Sequence, residues 1–375
     1  MTKGPLAGIR IIEVGHMLAG PYCGMLLADL GAEVIKVEAG DGDISRETGD
    51  QWIGPHNVYF ASLNRNKKSV RLDLTDEVGL KQFHELVRSA RGLITNLRPS
   101  AIRKLGLTYD ALQPLNERIV CVALTGFGLT GPYSELPAYD YIIQAMAGVM
   151  MLTGEPHSPP VRAGYSVVDN TGGMMAAIGM MAKLIEGKGG QVDVALYDTL
   201  LSQLNYLGGL YLNSGQIPER QPSGGHSFFV PAQIFKTSDG YVAIFITHDV
   251  FWKKFAAEVG RSDWLQDERF ATMTARSRNR EVVVEAIQHE LAKRTSDEWL
   301  ERLQRCGIVI AAVGTLADAL ASDQTAVRRM VVEIPTADGR LRLIGNPIKL
   351  EGYEETYTLP PMLDEHHHII GASHE

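Results

Sequence analysis

Residues 9–38 read IRIIEVGHMLAGPYCGMLLADLGAEVIKVE, and three segments are visible in them. Ile9 to Val14 is an apolar, β-branched run of the kind that forms a parallel strand buried on both faces. A glycine-bearing turn follows, then Leu26, Leu27 and Leu30 at helical spacing, stopped by Gly31. Val34 to Glu38 is the next strand. Strand, helix and strand in this order make a βαβ unit, which closes right-handed and leaves a crevice at the carboxyl ends of its strands.

The same alternation continues outward. Ser69 to Leu74, Gly92 to Thr95 and Ile119 to Leu124 read as further strands. Val78, Phe83, Leu86 and Val87 mark a helix over Glu77 to Ala90. The repeat predicts an α/β, Rossmann-like, doubly wound large domain. Met174 to Ile185 reads as a buried helix, Gln191 to Ala195 as a strand and Leu196 to Leu212 as one more helix. Gln216 to Gly225, with Pro218, Pro222, Gly224 and Gly225, is the best linker. Beyond it, two β-rich runs flank Asp239-Gly240 as a hairpin, and helices around Trp252 to Val259 and Val282 to Leu291 make a smaller α/β domain. The expected division is 1–195 for the large domain, 196–225 for the linker region and 226–324 for the small domain.

The chain has 375 residues, 45% of them apolar and 21% charged, an ordinary globular composition. Its 36 basic and 44 acidic residues leave a formal charge of −8, which disfavours nucleic acid as the main ligand. Cys23, Cys121 and Cys306 are too few and too far apart for a disulfide framework or a Cys-x-x-Cys zinc site, and fit a reducing cytoplasm. Met1 to Pro5 lead into a strand without a signal-peptide pattern, and the longest apolar stretch, around Ala145 to Leu152, is too short to span a bilayer. A cytoplasmic enzyme is the expectation.

Several constellations carry chemistry. Gly15 to Pro21 forms a strand-to-helix turn at the crevice, where backbone N–H groups meet phosphate or acyl oxygens, although its glycines do not follow G-x-G-x-x-G. Glu38, at a strand end, reads as a solvated acid rather than a ribose contact. Asn64 to Lys68 and the group Arg98, Arg103 and Lys104 are basic clusters, each readable as a solvated face or as a phosphate site. His366 to His368 are adjacent and cannot converge on one ion from regular structure, so no metal is expected there or at His374. Asp169 closes an apolar run before Gly172-Gly173. Locally it reads as a helix N-cap, and an acid held ionised by a helix dipole is also a nucleophile; both roles are open to it. No G-x-S-x-G elbow, P-loop or kinase signature is present.

Taken together, these blocks resemble the class III CoA-transferases, the family of formyl-CoA transferase and carnitine CoA-transferase. The likeness runs through His16 to Pro21, Leu30 to Glu38, Asn64 to Leu74 and Asn96 to Pro99. It continues through Gly126-Phe127-Gly128, Thr130 to Pro132, Pro137 to Asp140, Gln144 to Gly148, Thr153 to Pro156, Val192 to Ala195 and the Asp239-Gly240 hairpin. The resemblance implies that Asp169 is the catalytic aspartate, passing through a mixed anhydride and an aspartyl-CoA thioester. It implies CoA contacts at His16, Leu18, Ala19, Leu72, Thr75, Asn96, Leu97, Arg98 and Lys104, with Arg98 and Lys104 on phosphate, and substrate contacts at Tyr139 and His226. It further implies acyl-CoA and a small, dicarboxylic acid as substrates, no tightly bound cofactor and no metal. The implied assembly is an interlocked homodimer in which residues 325–375 return to complete the large domain.

The sequence also departs from that family. Leu18 stands where formyl-CoA transferase has a glutamine, Ala39 where it has an arginine, and Ser100 where glycine is usual. Ser223-Gly224-Gly225-His226 is a loose counterpart of its tetraglycine loop. Two rival functions remain. A 2-methylacyl-CoA racemase of the same superfamily uses a histidine where Tyr139 stands here, and tyrosine is a poor base at neutral pH. A CoA-binding protein without turnover is the other.

Overall fold

A computed structural model describes residues 4–371. The chain divides into two compact units. The first comprises residues up to Ala147, Gly164–Asn205 and the segment from Ser322 onward; the second comprises Gly148–Ala163 and Tyr206–Ala321.

The first unit is built on six parallel strands: β1 (Arg10–Val14), β2 (Glu33–Glu38), β5 (Lys67–Arg71), β6 (Gly92–Thr95), β7 (Val120–Thr125) and β8 (Gly190–Ala195). Two-residue strands β3 (Trp52–Ile53) and β4 (His56–Asn57) form a small ribbon between β2 and β5. The large sheet runs β5-β2-β1-β6-β7-β8. Counted along the chain, this is the 3-2-1-4-5-6 order of doubly wound dinucleotide-binding folds, whose ligands sit where the order reverses. Here that point lies between β1 and β6.

Both faces of the sheet are covered, as continuous apolar strands require. On one face α3 (Glu77–Ser89) buries Phe83, Leu86 and Val87 against Ile12, Ile35, Val70 and Leu93, with α4 (Pro99–Lys104) and α5 (Tyr109–Leu112) adding Ile102 and Leu112. Elements packed on α1 (Ala19–Asp29) include α2 (Val58–Asn64) and α8 (Val167–Glu186). α6 (Asp140–Met146) and α9 (Leu196–Gln203) complete this unit's helices in the central part of the chain. The antiparallel ribbon of β12 (Val331–Thr336) and β13 (Gly339–Ile344) packs Val332, Ile334, Leu341 and Leu343 against Ala61 of α2.

The second unit contains α7 (Val149–Leu152) and a three-stranded antiparallel sheet of β9 (Ala232–Lys236), β10 (Tyr241–Phe245) and β11 (Val309–Ala312). The Asp239-Gly240 turn joins β9 to β10 as expected. Helices α11 (Asp249–Glu258), α12 (Met273–Arg278), α13 (Arg280–Leu291) and α14 (Ser296–Arg305) bury Trp252, Trp264, Phe255, Ile287 and Trp299 beside that sheet.

Two helix readings change. The segment expected to start at Met174 is helical from Val167, because Gly172 and Gly173 lie inside the helix instead of forming a turn before it. A Cβ on Gly173 would sit 2.8 Å from the Ala19 carbonyl oxygen, and one on Gly172 would sit 2.4 Å from Leu196. The glycines therefore let α8 approach α1 and α9 closely. Second, 196–212 is not one helix: it breaks at Leu204 into α9 and α10 (Asn205–Ser214). Among the described residues, no helix is long and apolar enough to cross a membrane. The readings that rest on Met1 to Lys3 and on His374 fall outside the described residues.

Candidate active site

The sequence after β1 does not form a regular cap. Met17 adopts a left-handed φ of 64°. The turn is held from three sides. Asn96, just past β6, accepts from the His16 N–H at 3.0 Å and donates to the His16 carbonyl at 2.9 Å. Asp43 accepts from the Met17 N–H at 3.1 Å, and the Lys36 ammonium donates to the Gly15 carbonyl at 2.9 Å. Gly15 is required, since a Cβ there would lie 2.3 Å from Asn96 Oδ1. The result is a fixed loop bridging the two strands that flank the reversal point.

Beneath it lies a buried ion cluster. Lys36 contacts Glu13 at 2.9 Å and Asp43 at 2.8 Å, and Lys67 contacts Glu13 at 2.8 Å, all with fully buried side chains. Burial opposes the Lys36 charge, but Glu13, Asp43 and Glu38 outweigh it and raise its pKa. Burial, with Lys36 adding, pulls Lys67 down to about 8 against the pull of Glu13. Such a cluster is costly to desolvate and far costlier to leave half-paired.

This cluster corrects two readings. Glu38 is buried rather than solvated: Arg46 binds both its oxygens, at 2.7 and 2.8 Å, and Ser69 Oγ donates at 2.7 Å. The Asn64–Lys68 run is neither a solvated face nor a phosphate site. Arg65 is bidentate on Asp29 and also donates to the Ile344 carbonyl, Lys67 is enclosed, and Lys68 pairs with Glu33.

The second basic cluster differs. Arg103 pairs with Glu135. Arg98 and Lys104 are exposed, and neither guanidinium nor ammonium has a side-chain partner among the described residues. Arg98 directs its backbone into the start of α4, and its side chain borders a cavity of about 190 Å³. That cavity collects His16, Leu18, Ala19, Asn96, Leu97, Arg98, Tyr139 and Asp169. A neighbouring cavity of about 420 Å³ collects Leu72 and Thr75 with His16 and Leu97, which border both. Lys104 lines neither.

His226 belongs to the second unit. Its ring stacks on Tyr206 at 6.0 Å and meets Phe229 at 4.8 Å, beside a cavity of about 660 Å³. Its Nδ1 accepts from the Phe228 N–H at 3.1 Å, and burial followed by the Arg280 charge lowers its pKa.

Asp169 is not the N-cap of α8. Ser166 occupies that position and supplies no side-chain hydrogen bond, and Asp169 sits in the first turn. The dipole argument for an ionised carboxylate is outweighed. Burial foremost, and the nearby Asp140 carboxylate second, push Asp169 up to about 7. A helix N-terminus supplies about 0.3–1 kcal/mol, less than one pKa unit. Asp140 was visible in the sequence only as the neighbour of Tyr139. It is buried, and no local pattern links it to a residue 29 positions away. At the same cavity, α1 begins without a side-chain cap, and Pro21 has no N–H to offer. The Ala19 and Gly20 N–H groups thus have no hydrogen-bond acceptor among the described residues. A carboxyl of shifted pKa, Ala19 with its free N–H and the unpaired Arg98 line one cavity, a constellation suited to acyl transfer.

Comparison with known proteins gives the family. Residues 6–367 match the model of CoA-transferase family III. The chain is 34% identical to the acetyl-CoA:oxalate CoA-transferase of Acetobacter aceti, over 97% of this chain and 94% of that protein. It is 33% identical to the succinate–glutarate CoA-transferase of Agrobacterium fabrum (strain C58 / ATCC 33970), again over 97% and 94%. A CAIB/BAIF family protein from Brucella suis superposes with a TM-score of 0.87 at 33% identity, covering 100% of both chains. The expected family is confirmed: the chain belongs to CoA-transferase family III and is a class III CoA-transferase.

Proposed function

We propose that the enzyme moves CoA from an acyl-CoA donor to a small dicarboxylic acid, with Asp169 as the nucleophile. An Asp169 oxygen attacks the thioester carbonyl and the C–S bond breaks, giving a mixed anhydride and CoA thiolate. The thiolate attacks the aspartyl carbonyl of the anhydride, releasing the donor acid and leaving an aspartyl-CoA thioester. The acceptor carboxylate then attacks that thioester, and the returning thiolate takes up the new acyl group as Asp169 is released. One thioester is exchanged for another, so the overall transfer is close to balanced and needs no ATP.

The observation that carries this reading is the shared cavity of Asp169, Arg98 and the uncapped start of α1. A carboxyl with a pKa of about 7 is a stronger nucleophile than an ordinary aspartate and is about half ionised at neutral pH. The Ala19 N–H, at the cavity, is suited to receive the developing oxyanion. Arg98 and Lys104 carry the phosphate contacts, while Leu72 and Thr75 border the adjoining cavity that suits the rest of the CoA. The dicarboxylic preference follows the activities of the two relatives, which are named for oxalate, succinate and glutarate. The assembly we infer is the interlocked homodimer, and a monomer by light scattering would overturn it.

The deciding experiment is mass spectrometry of the enzyme after incubation with acyl-CoA, with hydroxylamine or borohydride as trap. A modification mapped to Asp169, lost in Asp169→Ala, supports the reading. An unmodified Asp169 during turnover sinks it.

A further inference from the structure

The long helix α8 starts without help from its own N-cap. Ser166 makes no side-chain hydrogen bond, although the first turn of a helix leaves four N–H groups without helical partners. One carboxylate from another helix substitutes. Asp140 Oδ2 accepts from the Val168 N–H at 2.7 Å and from the Asp169 N–H at 3.4 Å. Its Oδ1 accepts from Gln144 Nε2 at 2.6 Å. Asp140 is only 6% exposed and Gln144 is fully buried.

A neutral Ser or Asn satisfies such donors at lower desolvation cost. The excess charge therefore calls for a role beyond capping. We propose that Asp140 is a positioning residue for the transfer: it anchors the first turn of α8, orients the Asp169 side chain toward the cavity, and keeps a second negative charge beside it. This rests on Asp169 being the nucleophile.

Other titratable or charged groups around Asp169 are Tyr59 on α2, and His16, Tyr139 and Arg98 at the cavity. Asp169 has no ion-pair partner among the described residues, so no cation quenches it. Asp140 is the charged neighbour that, after burial, holds its proton. The arrangement keeps the carboxyl basic and oriented rather than locked in a salt bridge.

Asp140→Asn separates charge from capping, because the amide oxygen can still accept from the Val168 N–H. The acid limb of the kcat/KM profile, and of the single-turnover rate of adduct formation on Asp169, is expected to move down by about one pH unit. Melting temperature should stay close to wild type. Asp140→Ala, which loses the cap as well, should lose at least tenfold in kcat at every pH. An Asp140→Asn enzyme with an unmoved acid limb overturns the inference while leaving the nucleophile intact. Equal loss in the Asn and Ala variants at all pH overturns it too. A wild-type enzyme that turns over without an Asp169 adduct removes both readings together.

Discussion

Asn96 grips His16 by both backbone groups, accepting from its N–H at 3.0 Å and donating to its carbonyl at 2.9 Å. The two residues follow β1 and β6, the strands between which the sheet order reverses. This pair fixes the loop that leads into α1, where the Ala19 and Gly20 N–H groups are free. Losing two such bonds costs about 1–3 kcal/mol. Asn96→Ala should therefore raise KM for acyl-CoA roughly tenfold or more, with far-UV circular dichroism unchanged. Wild-type KM in that variant would show that the loop holds itself.

Asp169 makes the folded protein sensitive to pH in a definite direction. Its pKa is about 7 in the fold against an ordinary value of 3.8, so the native state holds the proton more tightly than the unfolded chain. Stability contributed by this group is present below about pH 4 and falls as pH rises toward 7. Asp169→Asn, neutral throughout, should be more stable than wild type at pH 8 by on the order of 1–3 kcal/mol, with no gain at pH 4. Thermal melts at the two pH values check this. A gain of the same size at both would point to packing instead of charge.

Arg98 and Lys104 are unpaired, whereas their neighbour Arg103 is engaged with Glu135. Arg98→Ala and Lys104→Ala should each raise KM for acyl-CoA, by roughly tenfold for a lost charge-assisted bond. Arg103→Ala should leave it within about twofold, since exposed ion pairs contribute little. Titration with CoA and with dephospho-CoA will separate the phosphates involved. Equal effects in all three variants would assign the region a general electrostatic role.

Gly173 lets α8 approach the start of α1, with a Cβ there 2.8 Å from Ala19 oxygen and 3.0 Å from the Tyr22 ring. Gly173→Ala should force the helices apart at an overpacking cost of about 1–3 kcal/mol. Because Asp169 lies one turn earlier on α8, kcat should fall more than stability alone explains. Comparison with Gly179→Ala, whose Cβ would press instead on Val192, provides the control.

Glu13 bridges Lys36 and Lys67 in the interior. Glu13→Gln leaves two buried ammonium groups short of negative charge and should destabilise the protein by about 3–5 kcal/mol. Urea unfolding monitored by tryptophan fluorescence measures it. A loss below 1 kcal/mol would mean that water reaches the cluster.

The sequence by itself determined the βαβ alternation, the strands of the parallel sheet and the Asp239-Gly240 hairpin, because apolar periodicity and turn residues are local signals. It also carried the family, through short blocks whose order along the chain is specific. The tertiary structure decided what the charged residues do. Glu38, Arg65 and Lys67 looked solvated in one dimension and are buried in three, because their partners Arg46, Asp29 and Glu13 come from other segments. The same holds for Asp169. Its residue type was legible, but its place in the first turn of α8 was not, and its shifted pKa depends on burial and on Asp140, which folding brings against it from another helix. Electrostatic environment is set by distance in space, and the amino-acid order does not contain that distance until the chain has folded.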